Sequence, residues 1–430
     1  MNLDSIFSLT VRGTNWKREV MAGITTFLTM AYILIVNPTI LGEAGMDSGA
    51  VFTATAIASA AATLVMAFLA NLPIALAPGM GLNAFFAYTV VISMGFSWQM
   101  ALAAVFIEGI VFIVLSLLNV REAIVNSIPM NLKRAISIGI GFFITFIGLQ
   151  NAGIIAAYDS TMVTLGDITS TSAILALIGL MAIGVLLYYR VRGSILIGIA
   201  LVTLIGTFTG TVSMPDMGWT PPSLEPTFAE FDFSQLLSMD MLIVVFTFLF
   251  VDIFDTAGTL IGLSTKSGMI TSDGKVPKAK QSFFADSVGT TIGALLGTST
   301  TTCYIESASG IAEGGKTGLT SVVVSLLFLF SLFLAPVFLA VPEAATASAL
   351  IVVGVFMITP IREIDFDDYT EAIPAFLTII MMPLAYSISD GIVFGLLAFV
   401  FLKVLTGQYK QISKTAYVLA VVFLIWLFVI

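Results

Sequence analysis

The chain has 430 residues, 58% of them hydrophobic and only 10% charged, with a net charge of −9 and no histidine. Such a composition belongs to a protein that crosses a bilayer many times, and it excludes an ordinary soluble enzyme. The acidic balance argues against nucleic acid as a partner, the absence of histidine removes His-based metal sites and proton shuttles, and the lone Cys303 excludes an intramolecular disulfide framework.

Apolar segments are expected to cross the membrane near 17–38, 51–70, 74–92, 99–118, 135–153, 172–189 and 194–211. A second set follows near 241–262, 283–298, 302–313, 318–336, 344–359, 372–387 and 390–406. The first segment starts after Arg12, Lys17 and Arg18, is too long for a cleavable signal and leads straight into further spans. The stretch from Ala416 to Ile430 is short for a crossing, which needs ~20 residues.

With the N-terminus in the cytoplasm, the alternating loops can be tested against the excess of basic residues inside. Inward loops receive Arg121, Lys133 and Arg134; Arg190 and Arg192; Lys266, Lys275, Lys278 and Lys280; Lys316; and Arg362. Arg12, Lys17, Arg18, Lys403, Lys410 and Lys414 fall at the termini, which completes the 17 basic residues and leaves none outside. The outward connection around 212–240 carries Asp216, Glu225, Glu230, Asp232 and Asp240 instead. Fourteen crossings follow, because one miscounted span would scatter these charges over both faces.

Fourteen suggests seven plus seven, and an odd-numbered repeat inverts its topology. A shift of 223 residues brings Asn83 onto Glu306, Thr29 onto Asp252 and Tyr32 onto Asp255. The third span of each half is broken. Pro73-Ile-Ala-Leu-Ala-Pro-Gly-Met-Gly-Leu-Asn83 holds two prolines and two glycines, and Gly297-Thr-Ser-Thr-Thr-Thr-Cys-Tyr-Ile-Glu306 holds a threonine run. Extended backbone at membrane depth survives only when buried in protein or lining a cavity. The two extended pieces can pair, each feeding a half-helix whose N-terminal amides attract an anion or a carbonyl oxygen.

The eighth span contains Asp252, Asp255, Thr256 and Thr259, spaced i, i+3, i+4, i+7 along one helical face. A carboxylate at membrane depth costs at least ~2.5–3.5 kcal/mol, so such groups need partners, water or a function. Asp252 is expected to face Glu306. Asp255 either supports Asp252, contacts water or stabilises the helix, and Asn83 either contacts a ligand or caps its half-helix. Two acids and free amides suit a neutral heterocycle with N–H donors and ring acceptors, and Phe85, Phe86, Phe250, Phe254 and Tyr304 can stack on a flat ring. Cys303 reads as a packing residue, and Asp159, Asp167 and the acids of 212–240 as solvated loop charges.

Ala77-Pro-Gly-Met-Gly-Leu-Asn-Ala-Phe-Phe86, Asp252-Ile-Phe-Asp-Thr-Ala-Gly-Thr-Leu-Ile-Gly262 and Thr301-Thr-Cys-Tyr-Ile-Glu-Ser-Ala-Ser-Gly-Ile-Ala-Glu-Gly314 resemble the AzgA-like purine permeases, a branch of nucleobase–cation symporter family 2. Val20-Met-Ala-Gly-Ile-Thr-Thr-Phe-Leu-Thr-Met-Ala-Tyr-Ile-Leu-Ile-Val-Asn-Pro38 is similar as well, and the likeness runs to about residue 406. The resemblance implies an all-α polytopic fold of fourteen spans in seven-plus-seven inverted repeats, with short strands in spans 3 and 10. It divides the chain into a core (14–118 and 236–336), a gate (119–235 and 337–410) and a C-terminal hydrophobic segment (411–430).

It also implies import of hypoxanthine, guanine or adenine with protons across the cell's inner or plasma membrane, without cofactor or metal, and a homodimer through the gate. Substrate binding carries over to Asp252 and Glu306, which are also the proton-coupling acids. Affinity roles carry over to Asn83 and Asp255, and backbone contacts to Gly81, Leu82, Tyr304 and Ile305. Two departures stand out: the uracil and xanthine branches often have Glu and a nearby His where this chain has Asp252 and Thr256, and Cys303 replaces an expected threonine. Two rival readings compete. One is an anion transporter or exchanger on the same architecture, and the other an intramembrane Mg²⁺-dependent enzyme using Asp252 and Asp255.

Overall fold

The computed structural model describes residues 3–118, 129–212, 218–266 and 278–429. Arg121, Asp216, Lys275 and the expected domain boundary at 118–119 lie outside the described residues.

After a short α1 (Leu3–Phe7), α2 (Trp16–Met30) and α3 (Ile33–Glu43) form the first span. The second is α4 (Ser48–Val65), started by the Asp47 side chain accepting from the Ala50 amide. In the third, β1 (Leu76–Pro78) leads into α5 (Met80–Ala84), which widens into a π-type helix over Phe85–Ser93. Then come α6 (Trp98–Leu118), α7 (Met130–Asn151), α8 (Thr171–Tyr188) and α9 (Ser194–Thr209).

The second half opens with α10 (Met239–Lys266) and α11 (Ala279–Leu296). β4 (Thr301–Cys303), α12 (Ser307–Ala312), α13 (Gly318–Ser331) and α14 (Ala335–Leu339) follow. The last helices are α15 (Glu343–Ile358), α16 (Tyr369–Leu384), α17 (Ile388–Leu405) and α18 (Lys414–Val429). An exposed hairpin of β2 (Ile155–Tyr158) and β3 (Met162–Leu165) follows α7 and adds strands where none were expected.

Each expected span holds a helix, but only nine described helices are long and apolar enough to cross a membrane by themselves. The others have physical reasons to fall short. The third and tenth are shared between strand and half-helix, the seventh and thirteenth have 16 residues each, and the ninth buries Ser282, Asp286, Ser287 and Thr290.

The helices pack in two groups. One joins α2–α6 with α10–α13, β1 and β4; the other joins α7–α9 with α15–α17. Small residues allow the close crossings. A Cβ on Gly354 would meet the Gly141 carbonyl oxygen at 2.5 Å, and one on Gly310 would meet the Ala22 oxygen at 2.5 Å.

β1 and β4 pair antiparallel, with Leu76 opposite Cys303, Ala77 opposite Thr302 and Pro78 opposite Thr301. Three-residue strands in lipid need partners on their outer edges too. Each half supplies one threonine for this. The Thr63 hydroxyl donates to the Leu76 oxygen at 3.1 Å and accepts from its amide at 2.9 Å. The Thr290 hydroxyl donates to the Thr301 oxygen at 3.1 Å and accepts from its amide at 3.2 Å.

The two halves match in length as well. The first span runs Trp16–Glu43 and the eighth Met239–Lys266, 28 residues each and 223 apart at both ends. In the third spans the offset differs. A twofold through the central pair Ala77–Thr302 relates residues 225 apart, which sets Glu306 against Gly81 rather than Asn83.

Candidate functional site

Glu306 sits where β4 ends and α12 begins. Its Oε1 accepts from the Tyr32 hydroxyl at 2.6 Å, and its carbonyl from the Thr29 hydroxyl at 3.5 Å. The break between α2 and α3 at Ala31–Tyr32 is what turns the Tyr32 ring toward this acid. Across the strand pair, α5 begins at Met80, and its first-turn amides, including those of Gly81 and Leu82, have no partner within the helix.

Asp255 belongs to the same place. Its carboxylate lies within the influence of the Thr302 hydroxyl and acts electrostatically on Glu306 and Tyr304. The Tyr304 hydroxyl donates to the Pro78 oxygen at 2.5 Å, tying the two strands together. Ile305 leaves its side chain 48% exposed beside Glu306, so this end of β4 is open on one side.

Three expectations need correction. Asp252 does not face Glu306: it is fully buried, and the groups acting on it are Asp286, Glu108 and Asp255. Residues three apart on a helix point about 60° apart, and packing sends Asp255 to Glu306 and Asp252 inward. The Tyr304 amide is not free for a ligand, because it donates to the Ala75 oxygen at 2.9 Å. Asn83 is fully buried, and its Oδ1 accepts from the Ser299 hydroxyl; its Nδ2 has no partner among the described residues.

The aromatic residues divide as well. Phe85 and Phe86 are fully buried and pack edgewise or tilted on Phe248, with centroids 4.8 and 6.5 Å away. Phe250 and Phe254 pack at 4.6 Å. Phe254 also lies under the Lys133 ammonium, 5.2 Å from the ring centroid. Lys133, expected in an inward loop, is in the first turn of α7. Lys403, counted with the terminal charges, is likewise buried in α17 and paired with Glu371 at 3.0 Å.

Glu108 and Asp286 were absent from the expected set. Each is the single acid of its span and belongs to no spaced motif, so nothing in the local sequence marks it. Among the described residues no cluster of three or more His, Cys, Asp or Glu is placed to hold a metal ion. A cavity of about 380 Å³ opens elsewhere, at the Asp240 end of α10, lined by Thr89, Ser93, Ser387 and Asp390.

The fold is shared with the transmembrane domain of the cyanobacterial bicarbonate transporter BicA. The TM-score is 0.67 at 15% identity, covering 88% of this chain and 97% of that one. Closer relatives are permeases. The chain is 45% identical to the guanine/hypoxanthine permease PbuG of Bacillus subtilis, over 99% of each chain. It is 42% identical to the adenine permease AdeP of Escherichia coli, over 98% of this chain and 95% of that one. The model of the permease family Xan_ur_permease matches residues 17–394, and with relatives that are transporters rather than enzymes, the chain belongs to that family.

Proposed function

We propose that this chain moves purine nucleobases across the cell's inner or plasma membrane together with protons. The observation that carries the reading is the meeting of Glu306, held by Tyr32 at 2.6 Å, with Asp255, across the strand pair from the start of α5. Carboxylate oxygens accept ring N–H groups, while the amides of Gly81, Leu82 and Ile305 donate to ring nitrogens or a carbonyl. The names of the relatives support the same substrate class, adenine for one and guanine or hypoxanthine for the other.

In this reading the group containing α2–α6 and α10–α13 is a core that carries the site, and the group of α7–α9 and α15–α17 is a gate against which it moves. Fourteen crossings, a cytoplasmic N-terminus and a homodimer through the gate belong to the same proposal. The 380 Å³ cavity at Asp240 then forms an outer vestibule. Protonation of Glu306 or Asp252 accompanies loading, since a neutral acid is cheaper to carry through the bilayer than a carboxylate.

The test is uptake of labelled adenine, hypoxanthine and guanine by cells expressing the chain, with each unlabelled base as competitor. Saturable uptake that stops when the proton gradient is collapsed is expected. Uptake of none of the three bases would sink the reading.

A further inference from the structure

We propose that the co-transported proton is held by Glu108 and Asp252 together, a carboxyl pair sealed inside the group of helices that presents Glu306. The inference rests on the transport reading above and adds to it the site of the ion.

The geometry comes from three spans. Glu108 on α6, Asp252 on α10 and Asp286 on α11 are all fully buried. Glu108 and Asp286 both act electrostatically on the Asp252 carboxyl, which brings three acids from three spans to one buried place. Neither oxygen of Asp252, and not Oε1 of Glu108, receives a hydrogen bond from a donor group of the protein among the described residues.

Glu19 shows what a structural buried acid looks like in this same fold. It is equally buried, yet its carboxylate accepts from the Lys316 amide at 3.0 Å, the Thr317 amide at 3.2 Å and the Thr320 hydroxyl at 2.6 Å. Asp252 has no such set. The titratable groups facing it are Glu108 from α6, Asp286 from α11 and Asp255 one turn along its own helix, all acids. Acids crowded together in a low-dielectric interior without a cation take up protons rather than keep every charge.

A strand connects this pair to the substrate site. The Thr300 hydroxyl donates to Glu108 at 3.1 Å, and the Thr302 hydroxyl acts on Asp255. Residues 300, 302 and 304 alternate onto one side of an extended chain, so the segment that enters β4 touches Glu108 at Thr300 and the strand itself reaches Asp255 at Thr302. Asp286 is held from the other side by the Thr256 hydroxyl at 2.7 Å. A displacement of β4 on substrate binding therefore changes the surroundings of Glu108. In the cycle one O–H bond forms on the pair with a proton from the outer face and breaks when that proton leaves inside. The pair alternates between two negative charges and one, and no other bond is made or broken.

The experiment uses the full chain in liposomes, with purine binding, purine exchange and pH-driven accumulation measured side by side. Glu108→Gln is expected to bind purine within about threefold of the wild type and to keep exchange, while accumulation driven by a pH gradient falls at least ~10-fold. Glu108→Asp is expected to restore accumulation. Infrared spectra of the wild-type protein should show a protonated-carboxyl carbonyl band that Glu108→Gln removes or shifts, a readout that needs no transport. Undiminished pH-driven accumulation by Glu108→Gln, absence of the band from the wild type, or accumulation that follows sodium instead of pH would each overturn the proposal. Wild-type protein that binds no purine would remove the underlying transport reading, and wild-type binding tells the two failures apart.

Discussion

Glu306 keeps one oxygen on the Tyr32 hydroxyl and has the other to offer. A hydrogen bond to a charged acceptor is worth about 1.5–3 kcal/mol, so Glu306→Gln should weaken purine binding at least ~10-fold. Tyr32→Phe leaves the acid in place but unanchored, at about 1 kcal/mol, and a loss of roughly fivefold is expected. Binding isotherms on the purified variants check both, and equal losses would mean that Tyr32 meets the substrate itself. Asp368 offers a different test at the edge of the membrane. It caps α16, and the Thr370 hydroxyl and amide, with a smaller part from Lys403, hold its carboxyl below the usual carboxylate range. That stabilisation is present above the ordinary carboxylate pKa of about 4 and is lost as pH falls through the lowered value of the folded protein. Melting temperatures measured from neutral to acid should fall less steeply for Asp368→Asn than for the wild type.

At the scale of elements, the strand pair depends on Thr63 and Thr290, each of which serves both backbone groups of one residue. Thr63→Val keeps the shape and leaves the Leu76 amide and carbonyl without their partner, at a cost of about 1–3 kcal/mol. Lower thermal stability with reduced uptake is expected, and Thr63→Ser should recover both. Much of this element was legible beforehand. Two prolines and the threonine run announced extended backbone, and Glu306 stands at the start of the half-helix where the sequence places it. The inward turn of Asp252 was not legible, because a spacing of three residues places two side chains near one another on a helix without saying which neighbour each meets. Glu108 was missed for a related reason: one acid in a span carries no periodicity, and only the packing of α6 against α10 reveals its partner. The difference between offsets of 223 and 225 was hidden too, since it appears only in the strand register.

At the scale of the whole molecule, the two helix groups meet through polar contacts at more than one place. Arg192, between α8 and α9, pairs with Glu313 at the end of α12. On another face, Asn151 at the end of α7 donates to Glu43 at the end of α3 at 2.9 Å. If the groups move against each other, contacts of this kind form and break in turn. Arg192→Cys combined with Glu313→Cys, in a Cys303→Ser background, should be joined by a bifunctional methanethiosulfonate long enough to replace the two side chains, and uptake should stop until a reductant is added. Uptake that continues through the cross-link would show that these two segments stay together during transport.

The β1–β4 pair also sets a timetable for folding. β1 ends at Pro78 and its partner begins at Thr301, so the ribosome must add more than two hundred residues before the pair can close. At a synthesis rate of about 5–20 residues per second this is a wait of roughly 10–45 s. During that interval β1 has Thr63 on one edge and nothing of its own chain on the other. Contacts so distant in sequence are slow to form, and the first half must be sheltered in the insertion machinery or by lipid until its twin arrives. Neither half can complete the pocket alone, and two half-chains made separately would be expected to regain transport only when they meet in the same membrane.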